Sequence, residues 1–245
     1  MGTDIHSVAQ VRNDDGTWET VGPVFIDSYY HPEWPARDVE WNQPLTHQPF
    51  RDRHYTCFAA LADVRNGTGF AGVDTGDPLD PISEPRGLPD DFSTSEHPDY
   101  GENYHSSPNL PEPVYMGDHS YSWLLLSEML AYDWDQTIVK RGFITAPQIG
   151  DLLKGGQPSG WCGGVSGRDI TTKVFGRDHK GASVWLSSGH DGCRAQVEWT
   201  TTLADYTQPL QRSISTLHRL VARRQKTSLR DADTAALRMV FGFDS

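Results

Sequence analysis

Leu210, Ile214, Leu217, Leu220 and Val221, with Tyr206 ahead of them, recur at the three- and four-residue spacing of one helical face, so the sequence predicts a helix over Tyr206–Arg224. A helix with one apolar stripe must bury it, and the rest of the chain has to supply the surface it packs on. The last turn is cationic, with Arg219, Arg223, Arg224 and then Lys226, which suits the negative end of the helix dipole. The packing surface is predicted to be sheet. Ile5–Arg12 alternates, Asn13-Asp14-Asp15-Gly16 is a turn, and Thr17–Val21 returns, which makes an N-terminal hairpin. Gln136–Ile144, Ser183–Ser187, Ala195–Thr202 and Leu237–Phe243 read as further strands, the last one buried. Shorter helices are predicted over Arg53–Arg65, stopped by Asn66-Gly67, over Ser127–Tyr132, and over Pro147–Lys154, stopped by Gly155-Gly156. The pattern is that of an α+β fold: a mixed, mostly antiparallel sheet, segregated helices and long ordered loops, in one domain over residues 1–245.

Two stretches carry no period. Residues 28–53 hold Tyr29, Tyr30, Trp34, Trp41 and several prolines, the signature of an ordered loop anchored by aromatics. Residues 68–115 are rich in Gly, Pro, Asp and Ser, and their spaced aromatics Phe70, Phe92, Tyr100 and Tyr104 predict an ordered lid. With only 36% hydrophobic residues, such a chain needs large side chains to build a core; eight Trp, nine Tyr and nine Phe provide them. A third stretch, Gly155–Gly167, holds six glycines but matches no phosphate-binding template.

Charge narrows the partners. A formal net charge of −12 excludes a broad duplex-binding surface, because neutralising phosphates takes clustered Lys and Arg, and leaves room for a small anionic ligand in one local basic pocket. Cys57, Cys162 and Cys193 are odd in number and lack CxxC spacing, which suits a reducing cytoplasm. No apolar run approaches the roughly 20 residues that span a bilayer, so no membrane partner is expected.

Candidate chemistry starts at the N-terminus. Asp4 and His6 stand two apart in a predicted strand and so project from one face. Asp4-x-His6, Gly76-Asp77-Pro78-Leu79-Asp80 and Gly189-His190-Asp191 superficially match the motifs of two-metal phosphoesterases, but only three residues precede Asp4 and no apolar strand precedes Gly76, so that reading is not adopted. The opening M-G-T-D-I-H, the helix Tyr55-Thr56-Cys57-Phe58-Ala59-Ala60-Leu61-Ala62-Asp63-Val64-Arg65-Asn66, and the segments Pro85-Arg86-Gly87-Leu88-Pro89-Asp90, Asp118-His119-Ser120-Tyr121-Ser122-Trp123-Leu124 and Val240-Phe241-Gly242-Phe243-Asp244 span nearly the whole chain. Together they resemble a family of uncharacterised, mainly bacteriophage-encoded proteins that opens M-G-C-D-I-H. The family has Cys where this chain has Thr3, so no thiolate role carries over. The resemblance implies a phage origin, the cytoplasm of an infected host, and a shared site, without naming a reaction.

Within those segments, Arg86 sits in a rigid Pro-flanked loop suited to hold a carboxylate or phosphate. Arg86, Asp90, His119 and Ser122 form the expected ligand-binding set. Asp4, His6 and His119, if they converge, make a two-histidine, one-carboxylate set for one divalent metal ion, with Asp90 or Asp118 orienting a histidine. The favoured expectation is a phage accessory protein that binds a small phosphorylated or nucleotide-like ligand, such as a host defence signal. The alternatives are a metal-dependent hydrolase acting on a nucleotide-like phosphoester and an inhibitor of a host protein by surface contact.

Overall fold

The computed structural model describes residues 2–27, 30, 32, 44–69, 72, 74–99, 101–144, 170–173, 182–187 and 195–245. In chain order the elements are β1 (Asp4–Arg12), β2 (Trp18–Thr20), β3 (Phe25–Ile26), β4 (Leu45–Thr46), α1 (Tyr55–Ala62), β5 (Ser95–His97), β6 (Gly101–His105), β7 (Val114–Tyr115), β8 (His119–Leu125), α2 (Leu126–Ala131), β9 (Thr137–Ile144), β10 (Ile170–Lys173), β11 (Ala182–Ser187), β12 (Ala195–Thr202), α3 (Leu203–Tyr206), α4 (Gln208–Arg224) and β13 (Leu237–Asp244). The fold is α+β, with antiparallel pairing in every sheet. The predicted helix over Pro147–Lys154 and the glycine-rich loop after it lie outside the described residues. Among the described residues no helix is long and apolar enough to cross a membrane.

The chain gathers into two compact units, one of residues 2–64, 81–132 and 208–245, the other of residues 65–80 and 133–207. In the larger unit the expected hairpin forms: β1 and β2 pair antiparallel around a turn in which Gly16 takes φ +87°, and Asn13 N–H donates to Thr17 O at 2.8 Å. The sheet runs β2-β1-β13-β8, so the last strand lies between the first strand and β8. That position explains the apolar run Met239–Phe243 of β13, since a strand covered on both faces has no solvent side to mark. Pairing of Ile5 with Phe243 and Ser7 with Phe241 puts these residues on one face, and pairing of Val8 with Val240 sets those two on the other.

The first face meets α1. Its residues Thr56 to Ala62 are all buried, and the rings of Phe58 and Phe243 cross edge to face at 5.1 Å. Asp63 ends this helix in the left-handed conformation (φ 58°), with its N–H donating to Ala59 O, so the helix stops before the predicted Asn66-Gly67. The other face is covered by part of the expected lid. Phe92, Leu110, Val114 and Met116 are buried in one cluster with Val8 and Val240, with Leu88, Tyr121 and Trp123 packed against it. The stretch over 68–115 is thus divided: residues 81–115 belong to this unit and build core and a small sheet, β5-β6-β7, whereas residues 68–80 belong to the other. Of its expected anchors, Phe92 stacks on His105 at 4.1 Å and Tyr104 leans on Tyr115 at 5.4 Å; Phe70 and Tyr100 lie outside the described residues. An ion pair ties the cover down: Arg238, 4% exposed, donates to Gln10 Oε1 and, at 2.7 Å, to Asp91. Helix α4 buries Leu210, Ile214, Leu217 and Val221, as its period requires, and contacts α2.

β8 is not regular. Its pairing with β13 slips between Phe241 and Phe243, and Ser120 takes φ 50°. One extra residue in β8 therefore leaves both His119, opposite Phe243, and Ser122, opposite Phe241, on the α1 face. Nearby, Gly117 (φ +87°) runs so close to the Phe243 backbone that a Cβ there would sit 2.4 Å from its carbonyl oxygen.

The smaller unit holds a four-stranded antiparallel sheet in the order β10-β11-β12-β9, in which the first of these strands in the chain pairs with the last, followed by α3. Arg141 on β9 gathers the carboxylates of Asp77 and Glu198, each at 2.6 Å, and Asp74 at 3.4 Å, and these contacts hold its guanidinium firmly protonated. The phosphoesterase-like Asp77 is thus an ion-pair partner, and residues 189–191 are not described.

Candidate functional site

At one end of the larger sheet the start of β1, the end of β13 and the start of β8 lie side by side. Asp4 and His6 share a face there, as their spacing predicts. Arg53 grips the Asp4 carboxylate with two donors, Nε at 2.6 Å and Nη2, and these bonds hold the carboxyl below its ordinary range against a smaller opposing effect of burial. His6 Nε2 meets Asp244 Oδ2 at 3.3 Å, and its ring stands edge-on to Tyr115 at 4.8 Å.

His119 does not join them. Its pairing opposite Phe243 turns it to the other face of the sheet, where its ring stacks on Phe243 at 6.2 Å and Nε2 lies 2.9 Å from Ser245 Oγ. Asp118 is 3.9 Å from it. Among the described residues no group of three or more His, Cys, Asp and Glu side chains is placed to hold a metal ion. The expected set of Asp4, His6 and His119 is split by sheet parity, with Asp4 already engaged by Arg53.

Arg86 is also engaged, at the surface. Its guanidinium forks onto Glu128 at 2.6 and 3.0 Å, donates to Ser83 Oγ at 2.7 Å and lies over the Trp123 ring at 5.1 Å. The fully buried Ser122 accepts the Arg86 backbone N–H at 3.2 Å. Glu128 in turn accepts the Leu125 N–H that opens α2; burial raises its carboxyl, and the bonds from Arg86 and Leu125 outweigh that and lower it. Asp90 is exposed in the turn between Pro89 and Phe92. Arg86 and Ser122 thus knot a loop to β8 and α2. Arg86→Ala should lower the unfolding free energy by about 1–3 kcal/mol in a urea titration. An unchanged midpoint would show the knot to be dispensable.

The cavity at this end of the sheet is lined differently. A cleft of about 550 Å³ is walled by His6, His47, Gln48, His97, Tyr104 and Tyr115, with Asp99, Glu112, Pro113 and Val114. Tyr104 forms its aromatic wall, 5.4 Å from Tyr115 on one side and 5.4 Å from His97 on the other. Burial, and then the charges of Asp118 and Asp244, raise the Tyr115 phenol, so it stays a donor. Among the described residues no Lys or Arg lines the cleft.

Two atoms set this cleft apart. His47 Nε2 and Gln48 Oε1 are buried and have no hydrogen-bond partner among the described residues. An orphan of this kind costs about 1–3 kcal/mol, and native proteins rarely carry two on adjacent residues without a reason. Burial, and then the charge of Arg51, push the His47 imidazole down to about 4, so it is neutral near pH 7 and offers one donor and one acceptor. The sequence singles out His6 as a metal-ligand candidate and Tyr104 as a lid anchor, and does not single out His47, Gln48, His97 or Tyr115, since neither the loop over 28–53 nor the stretch over 68–115 has a period to place a side chain. Compared with protein-family models, curated proteins and solved structures, the chain matches none.

The depressed His47 has a pH consequence. From pH 6.5 down to about 4 the unfolded chain takes up a proton that the folded chain refuses, so stability falls as pH falls through that window and levels off below it. The gap, at about 1.4 kcal/mol per pH unit, amounts to at most about 3 kcal/mol. His105, also lowered by burial against a bond to Ser93, acts in the same direction. Denaturant midpoints across the window should show a shallower slope in His47→Phe; an identical slope would show that His47 is not the group responsible.

Proposed function

We propose that this protein binds a small nucleotide-like ligand, taken by its planar heterocycle into the cleft of His6, His47, Gln48, Tyr104 and Tyr115. The orphan pair carries the reading. Gln48 Oε1 needs a donor, and neutral His47 can donate or accept, so the two match the donor–acceptor edge of a nucleobase once their side chains rotate onto it. Tyr104 and Tyr115 supply rings for stacking, a contact worth about 1–3 kcal/mol per base. With Asp99 and Glu112 and no cation in the wall, a phosphoryl group would stay in solvent, so recognition rests on the base. The resemblance to phage-encoded proteins supports a role in an infected cell, where capture of a nucleotide signal of host defence would be useful to the phage. Binding is favoured over hydrolysis because Asp4 is engaged by Arg53 and His119 faces away, so among the described residues these candidates do not assemble to activate a water.

Calorimetry with the four ribonucleosides, their monophosphates and ribose 5-phosphate tests the reading. At least one nucleoside should bind, and its monophosphate should bind within a few-fold of it. Gln48→Leu should weaken that binding by about 10–100-fold while leaving the melting temperature equal or higher, because an apolar group removes an unmet hydrogen-bond demand. Tight binding of ribose 5-phosphate alone, or a Gln48→Leu protein that binds as well as wild type, would contradict it.

A further inference from the structure

A second concave surface in the larger unit lies between the paired strands β3 and β4 and the exposed side of α4, and Gln48 lines both it and the first cleft. It is an open groove of about 890 Å³. On the α4 wall Arg212, Ser215, Thr216 and Arg219 follow one another at helical spacing on the side opposite the buried Leu210, Ile214 and Leu217. Arg51 stands in the facing wall, paired with Asp27 at 2.9 Å, and Val24 and Ile26 line the rim, 46% and 85% exposed. An isoleucine that open is unusual on a surface otherwise so polar. Among the described lining residues Asp52 is the one carboxylate against Arg51, Arg212 and Arg219, so in a chain of net charge −12 these residues make a locally cationic trough.

We infer that this groove is a docking surface for an acidic, partly apolar segment of a partner protein. Arg212 and Arg219 are seven residues apart, about 10 Å along the helix, too far to close on one small anion. In a peptide in the polyproline II conformation, side chains three residues apart share a face and stand about 9 Å apart, so carboxylates at that spacing would meet both guanidiniums and leave an apolar residue between them for Val24 and Ile26. Charge complementarity against an acidic background selects such a segment from the chains it encounters.

A display pool of random-sequence peptides panned against the purified full chain tests this. The enriched peptides should carry Asp or Glu three residues apart with an apolar residue between them. A synthetic copy of one, measured by fluorescence polarisation, should bind on the order of tenfold more weakly to the double variant Arg212→Glu, Arg219→Glu and also to Ile26→Asp, with all melting temperatures near wild type because these side chains are exposed. A pool with no enrichment, enriched peptides without acidic residues, or affinities untouched by both variants would overturn the inference, as would competition by inorganic phosphate as complete as that by unlabelled peptide.

Discussion

Phe243→Ala should cost about 3–5 kcal/mol of unfolding free energy, enough to leave a domain of ordinary stability barely folded. The side chain is fully buried in β13, crosses Phe58 at 5.1 Å and Phe241 at 5.9 Å, and stacks on His119. Neighbours on both sides cannot collapse into the void, because α1 above it and the ladders of β1 and β8 beside it are held by their own hydrogen bonds. The same residue stacks on the His119 ring at 6.2 Å, so the variant should also loosen that ring, visible as broadened imidazole signals. A urea midpoint within error of wild type would show that β13 is not the centre of the sheet.

Leu217→Ala is the second large effect, at about 2–5 kcal/mol. Leu217 is fully buried on the middle of the α4 stripe, flanked by Leu210, Ile214 and Val221, and truncation there opens a cavity in the layer formed with α2. Arg223→Ala, in the exposed last turn, is the control and should change stability by only a few tenths of a kcal/mol. Equal melting temperatures for Leu217→Ala and Arg223→Ala would contradict the packing.

These two positions were legible because their neighbours repeat. The period of α4 and the apolar run Met239–Phe243 of β13 are local signals, and so is the turn of the first hairpin. What joins them is not local. β1 pairs with β13 from the far end of the chain, and the face shown by His119 depends on one extra residue at Ser120, which no alternation announces. Asp4 and His6 fell on one face as two-residue spacing requires, but their partners Arg53 and Asp244 arrive through tertiary structure. Arg86 looked poised for a ligand because its loop is rigid; the rigidity is real, and its cause is Glu128, 42 residues further on. The stretch over 68–115 reads as a lid because it has few aliphatics, yet Leu110 and Val114, with Phe92, are buried in one cluster with Val8 and Val240. An orphaned acceptor such as Gln48 Oε1 has no signature in sequence, since it is defined by what is missing around it in space.

The cleft is therefore where the central claim stands. Imidazole nitrogen NMR of selectively labelled protein, titrated with the nucleoside that calorimetry selects, reads it most directly. At neutral pH His47 should start as a neutral ring, and saturating nucleoside should move its Nε2 resonance in step with the calorimetric isotherm, with His6 and His97 responding and His119, on the other face of the sheet, unmoved. A shift confined to His119, or an Nε2 resonance of His47 that stays in place while the nucleoside saturates the protein, would contradict the account.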